Sequence, residues 1–346
     1  MTLRVAICGS GNRSRSVWQR HVVERDGFEL VGVQDVHRGS LEKSVEQGTI
    51  GAAQAFDGLD EMLAATRPDA VIVCPVHSAH AAAVAASLEA GCHVLVEKPF
   101  ATEIGDALRV TELAERAGLV LGVVQNWRTK SAGQALKRAL DGGAIGAVSH
   151  VFFRYLRDRE LPHLPDYLFD EEDPMLYALT VHHVDLFRYV LGQEIVSVEG
   201  RDFHPPWSRY RHPSLMQLWL ETDGGVAIAY TGTISSRNGH DVPWENLIVE
   251  GELGSILNST DTFDPPLRLS RRDEAAVDLT AEVTVRDAPG QYALADVALL
   301  ENFAAAIAGT EPLIAPAREN LGTLAVIDAI RAALRSGRRE SVELAF

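Results

Sequence analysis

Short apolar runs alternate with amphipathic stretches of helical length over the first 125 residues. The apolar runs predict strands at residues 3–8, 28–34, 70–74, 92–96 and 119–125. Helices are predicted between them at residues 15–24, 58–66, 78–90 and 104–117. Strands that alternate with helices of this length predict a parallel sheet with right-handed crossovers, the arrangement of an α/β fold.

The pattern changes after this part of the chain. Strand-like segments follow one another with few helices between them, and Asp223-Gly224-Gly225 predicts a hairpin turn. Strands are predicted at residues 148–155, 195–203, 216–221, 226–233, 247–250, 267–270 and 342–344, and helices at residues 131–140, 176–191, 293–308 and 320–336. We therefore expect a dinucleotide-binding domain of residues 1–125 and a C-terminal α+β domain of residues 126–346 with an open, largely antiparallel sheet.

A glycine-rich turn joins the first predicted strand to the first helix. It has the sequence GSGNRS, in which Asn12 and Arg13 follow the second glycine. Gly9 permits a tight turn, Gly11 lets the backbone approach a pyrophosphate, and the helix N-terminus offers N–H groups to that anion. Ser14 replaces a third glycine by another small residue. With a strand before it and an acid about twenty residues beyond it, the turn predicts a dinucleotide site.

The acid that follows the second predicted strand is Asp35. Its carboxylate suits the hydroxyls of an adenosine ribose and would repel a 2′-phosphate, so NAD is favoured over NADP. Arg13 and Arg38 are close enough in sequence to offset that repulsion, which leaves NADP possible. The alternatives are a helix-capping aspartate and two solvated surface arginines.

The strand predicted at residues 92–96 runs abruptly into Glu97 and Lys98, and then into proline. In an open parallel sheet, ligands bind outside the carboxyl ends of the strands, so Lys98 is either a catalytic cation or a surface lysine. The preceding strand ends in Pro75, followed by a segment that holds two histidines at the same edge. Each of them, His77 and His80, either faces the ligand or is simply exposed.

Two adjacent histidines fall on the helix predicted at residues 176–191. His183 lies in the apolar stripe of that helix and is expected to pack in the core. His182 shares a row with Ala178 and Asp185, so a small residue and a carboxylate flank it, as for an accessible functional histidine. The alternative is a local structural pair of His182 and Asp185.

Composition narrows the classes of function. The 346 residues carry a formal net charge of −16, which argues against nucleic acid and against an anionic membrane surface as partners. The three cysteines have no metal-ligand spacing and lie on or beside predicted strands, so reduced thiols and no metal site are expected. The first strand begins at once, which leaves no room for a signal peptide, and we expect a cytoplasmic protein.

Together, these motifs resemble those of the glucose–fructose oxidoreductase, inositol dehydrogenase and MocA family, abbreviated Gfo/Idh/MocA. The most specific of them, AGCHVLVEKP at residues 90–99, is similar to the family's AGxHVLxEKP motif. The glycine turn, His80, Arg128, and His182 with Asp185 stand in the order of the family pattern. The resemblance covers essentially the whole chain.

The resemblance implies a Rossmann domain followed by an α/β domain with an open sheet. It implies an NAD(P)-dependent oxidoreductase of sugars, cyclitols or related polyols, with the nicotinamide between the domains. By the same resemblance, Lys98 contacts the reacting hydroxyl and His182 acts as acid and base. Family members are usually dimers or tetramers joined through the open sheet face, so a homodimer or homotetramer is expected here.

Two sets of candidate site residues result. The cofactor set is Gly9, Gly11, Asn12, Arg13, Asp35, Arg38, Pro75, His80, Glu97 and Lys98. The substrate set is Lys98, Trp127, Arg128, Tyr155, His182 and Asp185, and Phe153, Arg157, His163 and Tyr177 are further side chains suited to a sugar pocket.

The chain departs from the family pattern beside the histidine. Many members have an aspartate four residues before it, where this chain has Ala178, and Thr180 replaces a common glycine. A neutral imidazole and an ammonium beside the substrate oxygen still fit the oxidation of a secondary alcohol. The missing carboxylate keeps two other functions open: a cofactor-binding sensor without catalysis, and NAD-assisted redox-neutral sugar chemistry.

Overall fold

The computed structural model describes residues 2–162, 164, 166–238, 245–259, 267–279 and 291–344. His163, one of the side chains suited to a sugar pocket, lies outside this set. The chain forms two compact units. The first contains Met1–Asn126 and Tyr292–Leu321, and the second contains Trp127–Gln291 and Gly322–Ala345.

A parallel sheet forms the centre of the first unit. Its strands are β1 Leu3–Cys8, β2 Phe28–Gln34, β3 Ala55–Phe56, β4 Ala70–Val73, β5 His93–Val96 and β6 Leu121–Val123. They lie in the order β3-β2-β1-β4-β5-β6, and all neighbours are parallel. The strand order reverses between β1 and β4, where such sheets bind ligands at the carboxyl ends of their strands. The predicted α/β fold is confirmed.

Helices follow the strands of this sheet. They are α1 Arg20–Val23, α2 Arg38–Glu46, α3 Leu59–Thr66, α4 His80–Glu89 and α5 Ile104–Ala117. A π-helical turn, Ser14–Gln19, precedes α1. The bounds of α5 agree with the prediction, whereas α2 and β3 were not predicted. The segment that forms α2 buries only Leu41 and Ser44, so its apolar periodicity is too weak to be recognised.

A second sheet organises the second unit. Its strands among the described residues are β7 Val148–Leu156, β8 Ile195–Phe203, β9 Leu215–Thr222, β10 Ala227–Thr233, β11 Glu245–Gly251, β12 Gly254–Ser259, β13 Leu267–Arg271, β14 Val277–Asp278 and β15 Glu340–Ser341. Their order is β14-β13-β12-β11-β7-β10-β9-β8-β15. Only β7 and β10 pair in parallel, so the prediction of a largely antiparallel sheet is confirmed for the described strands. The C-terminal strand, predicted at residues 342–344, lies at Glu340–Ser341 instead.

The remaining helices are α6 Ser131–Asp141, α7 Val181–Leu191, α8 Gln291–Ile307 and α9 Ala317–Ser336. Although α8 is distant in sequence from the first sheet, Leu299, Leu300 and Phe303 share a core cluster with Val5 and Ile7 of β1. The first unit therefore completes its core with residues from the last part of the chain. In the described ranges, none of the helices has the length and apolar character that a bilayer span requires.

Candidate active site

Gly9 lies at the tightest point of the glycine turn. Its φ is +94°, and a Cβ there would lie 2.5 Å from the carbonyl oxygen of Cys74 and 2.6 Å from the nitrogen of Pro75. Any side chain would therefore push the turn away from the end of β4. At Gly11, a Cβ would meet no described atom within 4 Å, so the space beside the backbone is open. This cradle, with Asn12 exposed at the start of the helix, fits a dinucleotide pyrophosphate.

Asp35 directly follows β2, and main-chain groups hold its carboxylate. Oδ2 accepts a hydrogen bond from the Ser10 N–H at 2.7 Å, and Oδ1 accepts one from the His37 N–H at 2.8 Å. Each carboxylate oxygen can accept a further hydrogen bond, so the geometry fits a ribose-binding acid. Arg38 forms an exposed ion pair with Asp57 at 3.0 Å.

Arg13 is held between two buried carboxylates. Its Nε donates to Glu97 Oε1 at 2.7 Å, and its Nη2 donates to Asp296 Oδ1 at 2.8 Å. The indole N–H of Trp18 also donates to Glu97 Oε1, at 2.8 Å. The alternative of a solvated surface arginine is therefore wrong for Arg13, because its charge compensates carboxylates within the first unit.

The two carboxyl groups differ in their affinity for a proton. Burial alone would raise the pKa of Glu97, but the charge and hydrogen bond of Arg13 and the ammonium of Lys98 hold it below its ordinary value. Burial raises the pKa of Asp296, and Arg13 offsets this only in part. Oδ1 of Asp296 also accepts from Asn126 Nδ2 at 2.9 Å, whereas the buried Oδ2 has no hydrogen-bond partner among the described residues. Glu97 is thus the better stabilised anion, and Asp296 is the more readily protonated.

His80 is completely buried, so the alternative of an exposed histidine is wrong at this position. Its Nδ1 lies 2.8 Å from the carbonyl oxygen of Pro99, and its Nε2 lies 3.3 Å from that of Pro75. Burial is the main cause that lowers the pKa of His80. A neutral imidazole has one N–H, so it donates to one of these carbonyls at a time. The ring joins the segment after β4 to the segment after β5.

Lys98 lies two residues beyond the end of β5 and is half-buried. Its backbone N–H donates to Glu97 Oε2 at 3.3 Å, and its peptide bond to Pro99 is cis. Burial, the ring of His80 and the ammonium of Lys98 together lower the pKa of His77 to about 4. His77 is therefore neutral at physiological pH, and the charge of Lys98 also acts to lower the pKa of the buried Glu97.

In the second unit, Arg128 and Asp185 are partners of each other. Arg128 donates from Nε to Asp185 Oδ2 at 2.7 Å and from Nη2 to Oδ1 at 3.0 Å, and both side chains are buried. Asp185 Oδ1 also accepts from Thr323 Oγ1 at 3.0 Å. The guanidinium carbon of Arg128 lies 5.0 Å from the ring centroid of Tyr189. This two-pronged ion pair anchors α7 to the segment that follows Trp127.

A π-helical segment, Leu176–Thr180, precedes α7 and contains Ala178. The N–H of Val181 donates to the carbonyl of Leu176, five residues back. A π turn contains more residues than an α turn, so Ala178 lies in a segment whose hydrogen bonds depart from α-helical spacing. His182 and Asp185 both lie within α7, so the predicted spacing between these two residues is retained.

His183 is packed in the core, as predicted. It is fully buried, and its Nδ1 lies 2.9 Å from the hydroxyl oxygen of Tyr230. Its ring centroid lies 4.6 Å from that of Phe153 and 5.0 Å from that of Tyr155. Burial lowers the pKa of His183 well below its ordinary value, and the nearby charge of Lys130 acts in the same direction. This imidazole is held neutral.

His182 is more enclosed than an accessible histidine, with 7% of its surface exposed. Its ring is nearly parallel to the indole of Trp127, with centroids 5.9 Å apart and an interplanar angle of 8°. Trp127 is also buried, and Lys130 Nζ lies 3.4 Å from its ring centroid. Tyr155 is buried as well, and burial raises the pKa of its phenol. Trp127, Tyr155 and His182 thus belong to one aromatic cluster of the second unit.

Comparison with known proteins identifies the chain. A model described as "Oxidoreductase family, NAD-binding Rossmann fold" matches residues 3–125, and one described as "Oxidoreductase family, C-terminal alpha/beta domain" matches residues 137–344. The chain belongs to the Gfo/Idh/MocA oxidoreductase family. The resemblance stated from the motifs is confirmed, and the N-terminal domain is an NAD-binding Rossmann domain.

Individual relatives agree with this assignment. Inositol 2-dehydrogenase 3 of Saccharopolyspora erythraea is 30% identical over 260 residues, which cover 74% of this chain and 73% of the relative. D-glucoside 3-dehydrogenase of Escherichia coli is 31% identical over 240 residues, 68% of each chain. The structure of an oxidoreductase from Agrobacterium radiobacter in complex with NAD+, L-tartaric acid and magnesium has a TM-score of 0.84 at 18% identity and covers 99% of both chains. That likeness shows the fold.

Three residues of this Gfo/Idh/MocA chain were missed by sequence reasoning. Asp296 lies in an apolar stretch of α8 and meets Arg13 across 283 positions, so no local pattern indicates its role. Trp18 has the sequence character of an ordinary core residue, and Tyr230 that of an ordinary strand residue. Their hydrogen bonds to Glu97 and His183 are visible only in the folded chain.

The opposite pKa shifts predict different effects of neutralising the two acids. Glu97→Gln should lower the free energy of unfolding by roughly 1.5–3 kcal/mol at neutral pH, because a charged hydrogen bond is lost. This loss should become smaller as pH falls through the lowered pKa of Glu97, because only the ionised carboxylate stabilises the folded chain. Asp296→Asn should lower the free energy of unfolding by less. As pH rises through the raised pKa of Asp296, the variant should become more stable than the original chain, because the original chain then carries a buried carboxylate. Urea unfolding across a range of pH measures both.

The matched control is Glu115→Gln, which removes an exposed ion pair with Arg318 and should change stability little at any pH. A greater loss of unfolding free energy for Asp296→Asn than for Glu97→Gln at neutral pH would contradict the inference that Asp296 is the more readily protonated of the two acids.

Proposed function

We propose that the chain uses NAD to oxidise a secondary alcohol of a sugar, cyclitol or related polyol, or to reduce the matching ketone. The observation that carries the proposal is the position of Lys98, which follows β5 at the carboxyl edge of a Rossmann sheet. The adjoining residues are fixed, because Arg13 binds Glu97 and His80 contacts the carbonyl of Pro99. An ammonium at this edge suits an oxygen on which negative charge develops. Relatives named as inositol and D-glucoside dehydrogenases support the polyol class.

The chemistry of the oxidation assigns a role to each group. The C–H bond of the alcohol releases a hydride, the O–H bond releases a proton, and a ketone remains. Bound NAD supplies the hydride acceptor. We assign the proton to the imidazole of His182, and the ammonium of Lys98 stabilises the developing alkoxide. In the reverse direction, the imidazolium returns the proton to the carbonyl oxygen.

The other candidate residues are assigned to binding the cofactor or to supporting the helix that carries His182. In the proposal, Gly9, Gly11 and Asp35 hold the cofactor. The cofactor domain is residues 1–125, whose core α8 completes, and the rest of residues 126–346 form the substrate and association domain. Arg128 and Asp185 bind each other in the second unit, so we assign them to the support of α7 rather than to the substrate.

Cofactor preference tests the role of Asp35. The purified chain should bind NADH at least about tenfold more tightly than NADPH, because a carboxylate repels a 2′-phosphate. Asp35→Asn should weaken NADH binding and narrow the difference between the affinities for NADH and NADPH. Titration of each nucleotide against tryptophan fluorescence measures both affinities.

The control for this experiment is Asp57→Asn, which releases Arg38 from its ion pair and should leave the affinity for NADH unchanged. Tighter binding of NADPH by the original chain would contradict the role of Asp35. Absence of binding by either nucleotide would overturn the proposed function.

Catalysis tests the role of Lys98. Lys98→Met should lower kcat by about a hundredfold or more and leave the NADH dissociation constant nearly unchanged, because the ammonium acts on developing charge. Initial rates of NADH formation with a panel of myo-inositol, methyl D-glucoside and related polyols provide the measurement. Lys137→Met removes a lysine that pairs with Asp141 and should keep the original kcat.

Unchanged turnover in Lys98→Met would show that Lys98 is a surface lysine. A chain that binds NADH and oxidises no polyol of the panel would instead fit a sensor. Conversion of a glycoside without net NADH formation would fit redox-neutral chemistry, and either result overturns the proposal.

The open face of the second sheet is proposed to join subunits into a homodimer or homotetramer. Phe152 of β7, Ala229 of β10 and Trp219 of β9 lie directly beside one another in register. Phe152 is 46% exposed and Trp219 is 62% exposed. Ile248 of β11 continues the row on the other side of Phe152. Large apolar side chains side by side on a sheet face favour a protein contact.

A charge placed in this row should dissociate the assembly. Trp219→Glu should lower the mass measured by light scattering from a multiple of the chain mass to that of one chain, because a carboxylate would be buried without a partner. Val23→Glu, which alters an exposed apolar residue of the first unit, serves as control and should leave the mass unchanged. A monomeric original chain, or a mass unaffected by Trp219→Glu, would contradict the proposed interface.

A further inference from the structure

Two arginines that the sequence places near the glycine turn are bound by carboxylates of the chain itself. Arg13 is bonded to two buried carboxylates, and Arg38 forms an ion pair with Asp57. A third arginine, Arg15, forms no ion pair with a carboxylate among the residues that the structure describes, and its guanidinium donates to a main-chain carbonyl instead. Of the three charges, that of Arg15 is the one not compensated within the first unit.

Arg15 lies in the first helical turn after the glycine turn and is half-buried. Its backbone N–H donates to the carbonyl of Gly11 at 3.0 Å, and its side chain runs back toward the start of the helix, where Nη1 donates to the carbonyl of Ser10. Side chains of a helix lean toward its N-terminus, so this direction is the ordinary one. The guanidinium therefore lies at the glycine turn, next to the open space beside Gly11.

Ser10 links this guanidinium to the acid that follows β2. Its N–H donates to Asp35 Oδ2 at 2.7 Å, and its carbonyl accepts from Arg15. A cation and an anion are thus held by the two main-chain polar groups of one residue. Because Asp35 is assigned to the adenosine ribose, Arg15 lies at the adenosine end of the dinucleotide site.

The position of Ser10 is fixed by a polar network beneath the turn. Ser10 is completely buried, and its Oγ lies 2.7 Å from Ser44 Oγ. The same oxygen donates to the carbonyl of Ser40 and accepts from Gln19 Nε2, each at 3.2 Å. A side chain that is bonded to such a fixed residue loses less conformational freedom when a ligand binds.

We propose that Arg15 is a phosphate-binding residue of the dinucleotide site, where its charge opposes that of Asp35. A guanidinium has several N–H donors in a planar fork that matches a phosphate, and the bond to Ser10 uses one of them. This inference rests on the part of the proposed function in which Asp35 holds the ribose, and it adds a residue to the cofactor set.

Two phosphates adjoin the adenosine ribose of these cofactors. The pyrophosphate is common to NAD and NADP, whereas the 2′-phosphate belongs to NADP alone. Their chemistry is the same for a guanidinium, so the comparison of the two nucleotides has to separate them.

Arg15→Gln tests the role of the charge. The glutamine amide can still donate to the carbonyl of Ser10, so the substitution removes the charge and keeps a donor for the turn. The affinity for NADPH, or for both NADPH and NADH, should fall by about tenfold or more, because a charged hydrogen bond is lost. Arg15→Lys keeps the charge without the planar fork and should lose less. Titration of each nucleotide against tryptophan fluorescence measures the affinities.

The pattern of losses identifies the phosphate. Equal losses for NADH and NADPH assign Arg15 to the pyrophosphate, and a larger loss for NADPH assigns it to the 2′-phosphate. In either case, added salt should weaken nucleotide binding to the original chain more than to Arg15→Gln, because salt screens a charge that the variant lacks. Unchanged affinities, or a loss confined to NADH, would overturn the inference.

Arg20→Gln is the matched control, because it removes an exposed arginine farther along the same helical segment, where it pairs with Glu24. It should leave both affinities unchanged. If the original chain binds neither nucleotide, the proposed function itself fails. If the original chain and Arg15→Gln bind both nucleotides equally well, only the role of Arg15 fails.

A second measurement uses the original chain and needs no folded variant. Phenylglyoxal modifies accessible guanidinium groups, and mass spectrometry of the peptides resolves Arg15 from Arg20. A saturating nucleotide should slow the modification of Arg15 severalfold and leave that of Arg20 unchanged, because a bound phosphate covers the guanidinium. The same rate at Arg15 with NADH, with NADPH and without nucleotide would overturn the inference.

Discussion

The guanidinium of Arg13 is the interaction on which the ligand edge of the first unit depends. It joins the glycine turn, the end of β5 and helix α8 through Glu97 and Asp296. A buried charge without a partner costs several kcal/mol, so these three segments have to meet in the folded chain. Lys98 is the next residue after Glu97, and its position is therefore set by electrostatics as well as by the packing of the sheet.

Patterns within a few residues of one another predicted much of this edge. The apolar run of β5 and its abrupt end located Lys98, and the glycine turn located Gly9, where a side chain would collide with the carbonyl of Cys74. Asp296 could not be predicted, because its partner is 283 positions away. His80 was expected to face the ligand or solvent, yet it is buried between two carbonyls whose positions are set only by the folded turns.

In the second unit, prediction was limited by departures from regular helix geometry and by contacts between distant segments. The apolar stripe correctly placed His183 in the core, because that inference needs only an approximate helical period. The relation of His182 to Ala178 assumed an exact α-helical spacing, whereas Ala178 lies in the π-helical segment Leu176–Thr180. The stack on Trp127 joins residues more than fifty positions apart, and no periodicity in the sequence contains that information.

On the ribosome, strands β1 to β6 emerge long before helix α8. Leu299, Leu300 and Phe303 of that helix belong to the same core cluster as the residues of β1, and Asp296 is bonded to Arg13. A nascent chain that has exposed only the six strands therefore has an apolar surface and a guanidinium that lack their final partners. The nucleotide-binding unit, first to begin translation, reaches its complete packing only after strands β7 to β14 of the second sheet have been synthesised.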